Sequence, residues 1–449
     1  MTPNPHGGDT NPTEDDESMG NNQQTSTRVR IDIPNTTRLD ERFVPRITGI
    51  EPHDHVTLTT STSDGVRDWS TTATFEADEE GVVDLASIAP VGGSYDRADS
   101  MGPIWSMTTE DGEPHRFEFT PLGSHDVTFT AEADDRSATE SVTIHHGDPG
   151  VTRHTVDEPG IEGSWFEPEV AGPHPGVLVL HGSGGRPMET TAALLASHGF
   201  AAFSLQYLEV LDLPDRPIGV PVSYVHRAAD WFRDRDAIAG DGLGIYGASM
   251  GGQLALLFAT LDEEIDAVVS DAGANLVFSS GETAPWTVDG EPHPRIDIRE
   301  EPAETWDRYV DGAPVKREMW IQMLEAASTD QRRAATIPIE ETEAALLFLS
   351  GSDDAIWPAP TFGNMALARL DALQYDRKYD HLVYHDAGHC IGYPYRPTTW
   401  RPIDEGLVNG GDPAAHADAQ TAAWPRVLGF LNEELSTGEP SDHCERGHR

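Results

Sequence analysis

The spacing of apolar residues changes character once along the chain, near residue 150. From Arg28 to His146, apolar and polar residues alternate in short runs. Among these are Val29–Ile33, Val56–Thr60, Thr71–Phe75, Arg116–Thr120, Asp126–Thr130 and Glu140–Ile144. Period-two alternation puts one face of a strand in a core and the other in water. Turn pairs such as Asp64-Gly65, Glu80-Gly81 and Asp111-Gly112 separate the runs. The pattern predicts a β-sandwich of about seven strands over 28–146. A long connection holds Gly92–Tyr95 and Met101–Trp105. It reads as a structured loop that packs an aromatic anchor, not as a substrate contact. Nothing in this region looks catalytic.

His146–Gly150 reads as a hinge between domains. Beyond it the apolar runs become continuous, as strands buried on both faces require. Gly176–Leu180, Phe200–Leu205, Ile265–Ser270, Ala344–Leu349 and Leu382–Tyr384 are such runs. Helical spacing lies between them, over Met188–His198, Ser223–Arg235, Thr361–Leu373 and Ala414–Leu435. Strands alternating with helices predict a mostly parallel sheet with crossover helices, over 151–435. Between 272 and 338 the alternation breaks into proline, tryptophan and charge, with one helix near Val315–Ala327. An insertion at that point is expected to act as a cap lining a pocket, or equally to be a surface insertion with no role in binding. The polar stretches 1–27 and 436–449 read as disordered tails.

Charge changes this picture in one respect. There are 77 acidic residues against 30 basic, a formal charge of −47, and Lys316 and Lys378 are the only lysines. The excess is spread along the chain, and the apolar runs are ordered, so the chain does not read as a disordered acidic protein. A solvated anionic surface of this kind suits very high salt. Screening there shortens the Debye length to about 3 Å and relieves self-repulsion. The same charge argues against nucleic-acid partners. No apolar run is long enough to cross a membrane. Cys390 and Cys444 are too few for a disulfide framework and point to a reducing, cytoplasmic setting. No cofactor or metal motif is present; His443, Cys444 and His448 are too loosely spaced to count as one.

The chemistry centres on Gly247-Ala248-Ser249-Met250-Gly251, which follows an apolar strand and precedes a helix. This is a G-x-S-x-G nucleophile elbow in its required setting, so the fold is expected to be an α/β hydrolase with an N-terminal all-β sandwich domain. A serine hydroxyl needs a base, and the base needs an orienting carboxylate. In this fold the three come in the order Ser, acid, His, each after a strand. The acid slot after Leu349 offers Asp353 and Asp354, and the form G-x-x-D-x-x-x-P of Gly351–Pro358 selects Asp354. His389, after the strand ending at Tyr384, is the expected base. His385 lies at the end of that strand and reads as structural. An oxyanion hole needs two backbone amides. Met250, directly after the nucleophile, supplies one. Ser183, or else Gly184, in the Gly-rich loop after Leu180 supplies the other. These residues point to ester-like acyl transfer and name no substrate.

Several separated stretches resemble the acyl-CoA thioesterase / bile acid-CoA:amino acid N-acyltransferase family, from Leu39 to Leu435. They are Gly92–Tyr95 with Met101–Trp105, Ile337–Glu340 with Gly351–Asp354 and Trp357, and Gly388-His389 with Ile391 and Pro394-Tyr395. Gly410–Pro413 with Ala415–Ala417, Ala419-Gln420 and Ala423-Trp424 completes the set. The resemblance implies a two-domain enzyme that cleaves acyl-CoA, a small-molecule substrate. It also implies that serine at the elbow favours water as acceptor, where the conjugating transferases carry cysteine. Family members often carry lysine after the nucleophile; Met250 stands there instead. Arg186 or arginines of the insertion are candidates to replace that charge. Rival expectations are an oxygen-ester or lactone hydrolase, an amino acid N-acyltransferase, and a catalytically inactive binding or scaffold protein. Acyl chain length and oligomeric state are not legible.

Overall fold

The computed structural model describes residues 28–113, 115–279, 283–297, 309–310, 313–314, 316–399, 402–403 and 407–435. The two polar tails, with His443, Cys444 and His448, lie outside these. Between residues 30 and 145 the chain forms a three-stranded and a seven-stranded sheet, nearly all antiparallel. The longest strands are His55–Ser63, Asp68–Glu76, Ser124–Ala133 and Arg136–His145. Inward residues of the two sheets, among them Ile31, Ile47, Val83, Leu58, Phe75 and Phe129, share one core. There are more strands than the seven expected, because short edge pieces such as Thr36–Arg38 and Val82–Asp84 also pair. The run Arg116–Thr120 is not a strand. It crosses the structure as an extended segment without ladder pairing, with Phe117 buried.

The second region is built on eight strands. In spatial order these are Thr152–Thr155, Gly163–Glu167, Ala201–Leu205, His174–Leu180, Ile238–Ala248, Ile265–Asp271, Ala345–Gly351 and Tyr379–Tyr384. Pairing is antiparallel on both sides of Gly163–Glu167 and parallel from Ala201–Leu205 onward. Because side chains alternate, each strand feeds two cores. Leu178, Leu180, Ile245, Val268, Leu346 and Phe348 face helices Val222–Arg233, Met250–Ala259 and Ala359–Leu373. Val177, Val179, Tyr246, Val269, Leu347 and Leu349 face the other way, onto helices Glu189–Ser197 and Pro413–Leu435. A Cβ at Gly244 would lie 2.7 Å from Leu435 Cδ1, so the last helix packs directly on the elbow strand.

The second of these cores is continuous with that of the N-terminal sheets. The expected hinge is accordingly pinned on both sides. His146 is buried, its Nδ1 is 2.7 Å from the Thr120 carbonyl, and the Asp148 amide donates to Ser197 Oγ at 2.7 Å. Shared apolar burial of this kind ties the two regions together, where an exposed linker would let them move.

Candidate active site

The elbow strand Ile238–Ala248 runs into Ser249, which has φ 55° and ψ −120°. A non-glycine residue in that conformation costs on the order of 1–3 kcal/mol. Neighbouring backbone holds it there. Its amide donates to the Asp271 carbonyl at 2.7 Å, and its carbonyl accepts from Gly252 and Gln253 at 2.9 and 3.2 Å. Glycine is required at the flanks by close approach. A Cβ on Gly247 would lie 2.3 Å from the Gly251 carbonyl oxygen, and one on Gly251 would lie 2.3 Å from that of Leu180.

The elbow meets two other segments. His389 Nε2 lies 2.9 Å from Ser249 Oγ, and His389 Nδ1 lies 2.7 Å from Asp354 Oδ2. Asp354 is fully buried, and its other oxygen accepts the Ile356 and Trp357 amides at 2.8 and 3.1 Å. Those amide bonds fix the carboxylate plane before any substrate arrives. Burial works against protonating His389, but the Asp354 carboxylate and Cys390 together outweigh it, so the imidazole pKa stands well above its usual value. Burial pushes the Cys390 thiol up. Asp353 instead faces outward, 3.5 Å from an Arg317 nitrogen, and His385 is an exposed partner of Asp386. Neither reaches Ser249.

The acid and base turns are sewn together by Asn409–Gly411. The Asn409 carbonyl accepts the His389 amide at 2.9 Å and the Ala355 amide at 3.3 Å. Gly410 (φ 77°) bridges to Asp354, and a Cβ there would lie 2.1 Å from the Asp353 carbonyl oxygen. The Gly410-Gly411 pair is thus a crossing point of three chain segments with no room for side chains. His416, buried and held neutral, with its pKa lowered to about 3 by burial and then by Arg396 and His389, accepts the Gly388 amide at 3.1 Å.

Sequence reasoning missed Asp271, at the end of the strand beside the elbow. Its buried carboxylate accepts Tyr246 Oη at 2.7 Å and the amides of Ile391 and Gly392, both at 2.9 Å. Burial raises its pKa, against the pull of those donors. One residue therefore holds the nucleophile turn through its carbonyl and the histidine loop through its carboxylate. The signal was faint, a polar residue closing an apolar strand.

Above Ser249 opens a cleft of about 790 Å³. Gly182, Ser183, Gly184 and Met250 line it beside Ser249. A Cβ on Gly182 would stand 3.3 Å from Ser249 Cβ, so the Gly-rich loop comes close to the hydroxyl. His181 anchors that loop, stacked on Tyr207 with ring centroids 3.9 Å apart. First-turn helix amides such as that of Met250 have no intrahelical acceptor and are open to an anion. One wall of the cleft is Arg116, Phe117, Glu118, Phe119 and Pro121, from the N-terminal region. The loop Gly92–Tyr95 with Met101–Trp105, read as an aromatic anchor, is not among the lining residues. The 272–338 insertion, expected to line the pocket, contributes no lining residue among those described. Phe278, Ile296 and Leu324 instead build a small core with Trp357 and Phe362, behind the Asp354 turn. Among the described residues no three metal-binding side chains cluster, and no helix is long and apolar enough to cross a membrane.

Two family descriptions match the chain. "BAAT / Acyl-CoA thioester hydrolase C terminal" matches 220–437, and "Acyl-CoA thioester hydrolase/BAAT N-terminal region" matches 40–158. The chain is 30% identical to mouse acyl-coenzyme A thioesterase 6 over 431 residues, covering 90% of this chain and 96% of that one. It is 30% identical to human acyl-coenzyme A thioesterase 1 over 413 residues (89% and 95% covered), and 28% identical to the mouse peroxisomal succinyl-coenzyme A thioesterase over 423 residues (90% and 96%). Among solved structures it is similar to the dienelactone hydrolase of Anabaena variabilis, with TM-score 0.37, 19% identity, and 64% of this chain and 99% of that one covered. With both family regions present and near-complete coverage of its relatives, the chain belongs to the BAAT/acyl-CoA thioester hydrolase family.

Proposed function

We propose that the protein hydrolyses acyl-CoA thioesters through an acyl-Ser249 intermediate. The observation that carries this is the relay Ser249–His389–Asp354, joined at 2.9 and 2.7 Å beneath an open cleft. His389 Nε2 takes the Ser249 proton while Oγ bonds to the thioester carbon. The Met250 and Ser183 amides hold the resulting oxyanion. Collapse breaks the C–S bond, and the CoA thiolate leaves with the proton His389 carried. Water then repeats the attack, gives its proton to His389, and releases the fatty acid as Ser249 recovers its own. Asp354 holds the imidazole tautomer and offsets its charge in both halves.

The test is thiol release from an acyl-CoA panel, run beside p-nitrophenyl esters and beside glycine as a competing acceptor. Thioester cleavage dominating supports the reading. Preferential ester cleavage, or N-acylglycine as the main product, would replace it with the ester hydrolase or the transferase.

We also propose that the acidic surface suits the enzyme to concentrated salt, supported by the −47 charge. Its midpoint of thermal unfolding should rise between about 0.1 M and about 3 M KCl, as the Debye length falls from about 10 Å to below about 3 Å. A midpoint that falls over that range contradicts this. Cys390, a free thiol, supports the expected cytoplasmic setting.

A further inference from the structure

A chain with 77 acidic and 30 basic residues would be expected to line its clefts with carboxylates. The cleft above Ser249 instead gathers Arg116, Arg186, Arg216 and Arg396. Arg116 lies within charge range of both Arg186 and Arg396. Arg116 loses proton affinity first through burial by the cleft walls, then through the charges of Arg396 and Arg186. Arg396 stacks over Tyr393 at 4.8 Å, which fixes the plane of its guanidinium. One of its Nη atoms donates to the Ile391 carbonyl at 3.2 Å, while its Nε is buried with no hydrogen-bond partner among the described residues. The cleft carboxylates already have partners, Glu118 with Arg186 of the cluster itself. Asp271 is held by Tyr246 and two amides, Glu189 by Arg153, and Glu118 by Arg186 at 3.0 Å.

Like charges held side by side repel, and a buried N–H without an acceptor is costly. An anion settling among them would relieve both. Guanidinium forks match phosphate oxygens, and three forks from three separate chain segments fit a ligand carrying several phosphates better than a single carboxylate. Arg186 sits toward the mouth, while Arg396 lies deeper, beside Ile391 of the histidine loop. The Arg186 side chain is 48% exposed, against 4% for His389 at the floor. In an acyl-CoA the phosphates lie at the far end of the pantetheine arm from the reacting carbon. We propose that Arg116, Arg186 and Arg396 form an anion subsite that takes the phosphates of the CoA half of the substrate. This rests on the thioesterase reading. It also gives the N-terminal region a share in substrate binding through Arg116.

The experiment compares decanoyl-CoA with decanoyl-N-acetylcysteamine, the same thioester without phosphates. The ratio of their kcat/KM values is read in wild type, Arg396→Gln and Arg186→Gln at one salt concentration, with circular dichroism to confirm folding. Each substitution should lower the ratio about ten- to a hundredfold, the range for losing a hydrogen bond to a charged group. Glu118→Gln removes the carboxylate that competes for Arg186 and should tighten CoA binding, an effect of opposite sign that mere destabilisation would not produce. A second arm compares succinyl-CoA with butyryl-CoA. If only the succinyl preference falls, the arginines read a carboxylate on the acyl chain and the proposal is overturned. It is equally overturned if the CoA ratio stays within about twofold in both folded arginine variants. If wild type cleaves neither decanoyl thioester, the thioesterase reading has failed. Calorimetric binding of CoA itself then decides the subsite, with binding lost in Arg396→Gln supporting it and no binding to wild type overturning it.

Discussion

At the floor of the cleft every carboxylate meets donors. Asp354 accepts His389 and two amides, and Asp271 accepts Tyr246 and two amides. Above it cations gather instead, with Arg116 within charge range of Arg186 and Arg396, Arg186 paired with Glu118, and Arg396 Nε without an acceptor among the described residues. Satisfied polar groups in a low-dielectric site are rigid and hold geometry. Neighbouring charges of one sign, and a buried N–H without an acceptor, cost stability unless something from outside offsets them. The floor is thus built to stay as it is, and the mouth to receive. Substitutions at the floor should act on kcat, and substitutions at the mouth on substrate preference.

The largest break in that contrast comes from the base. His389→Ala should lower kcat about a hundred-thousandfold, because the remaining groups cannot take the Ser249 proton. Asp354→Asn follows, at about ten-thousandfold for a lost tautomer-setting carboxylate. It also carries a pH signature. Only neutral His389 can accept a proton, so kcat/KM rises with pH through its pKa. With Asp354 raising that pKa well above the usual imidazole value, the acid limb of the wild type lies correspondingly high. Removing the carboxylate leaves burial, which lowers the pKa, opposed by Cys390 alone, so the limb should move to lower pH. A limb that does not move contradicts the assignment. Asp271→Asn replaces an acceptor with a group that must point its NH₂ at another donor. It should cost about 2 kcal/mol of stability, read by denaturant titration, and lower kcat more than it raises KM as the histidine loop shifts. Smallest is the pair His385→Ala and Asp353→Asn, exposed and outside the relay. Each should change kcat/KM by less than about twofold, as surface substitutions do.

The floor was legible in the sequence and the mouth was not. Ser249, Asp354 and His389 each follow an apolar strand, in a fixed order, and the strands' spacing announces where those turns fall. Even the choice of Asp354 over Asp353 lay in the spacing to Pro358. Asp271 escaped because its role is to accept amides from a loop 120 residues away, and backbone contacts leave no pattern in side-chain identity. Arg116–Thr120 misled for a similar reason. Its alternation reads as a strand, yet it runs unpaired along the cleft, so the period reports burial of Phe117 and not a ladder. The insertion misled through topology. Its position suggested a lid, but its aromatic residues pack with Trp357 and Phe362 behind the acid turn.

The account stands most directly on which atom carries the acyl group. Rapid quenching of enzyme mixed with decanoyl-CoA, followed by peptide mass analysis, should find the decanoyl adduct on Ser249. The Ser249→Ala enzyme should show no adduct and a matching collapse of thiol release. Acyl transfer to another residue, or undiminished thiol release from Ser249→Ala, would contradict it.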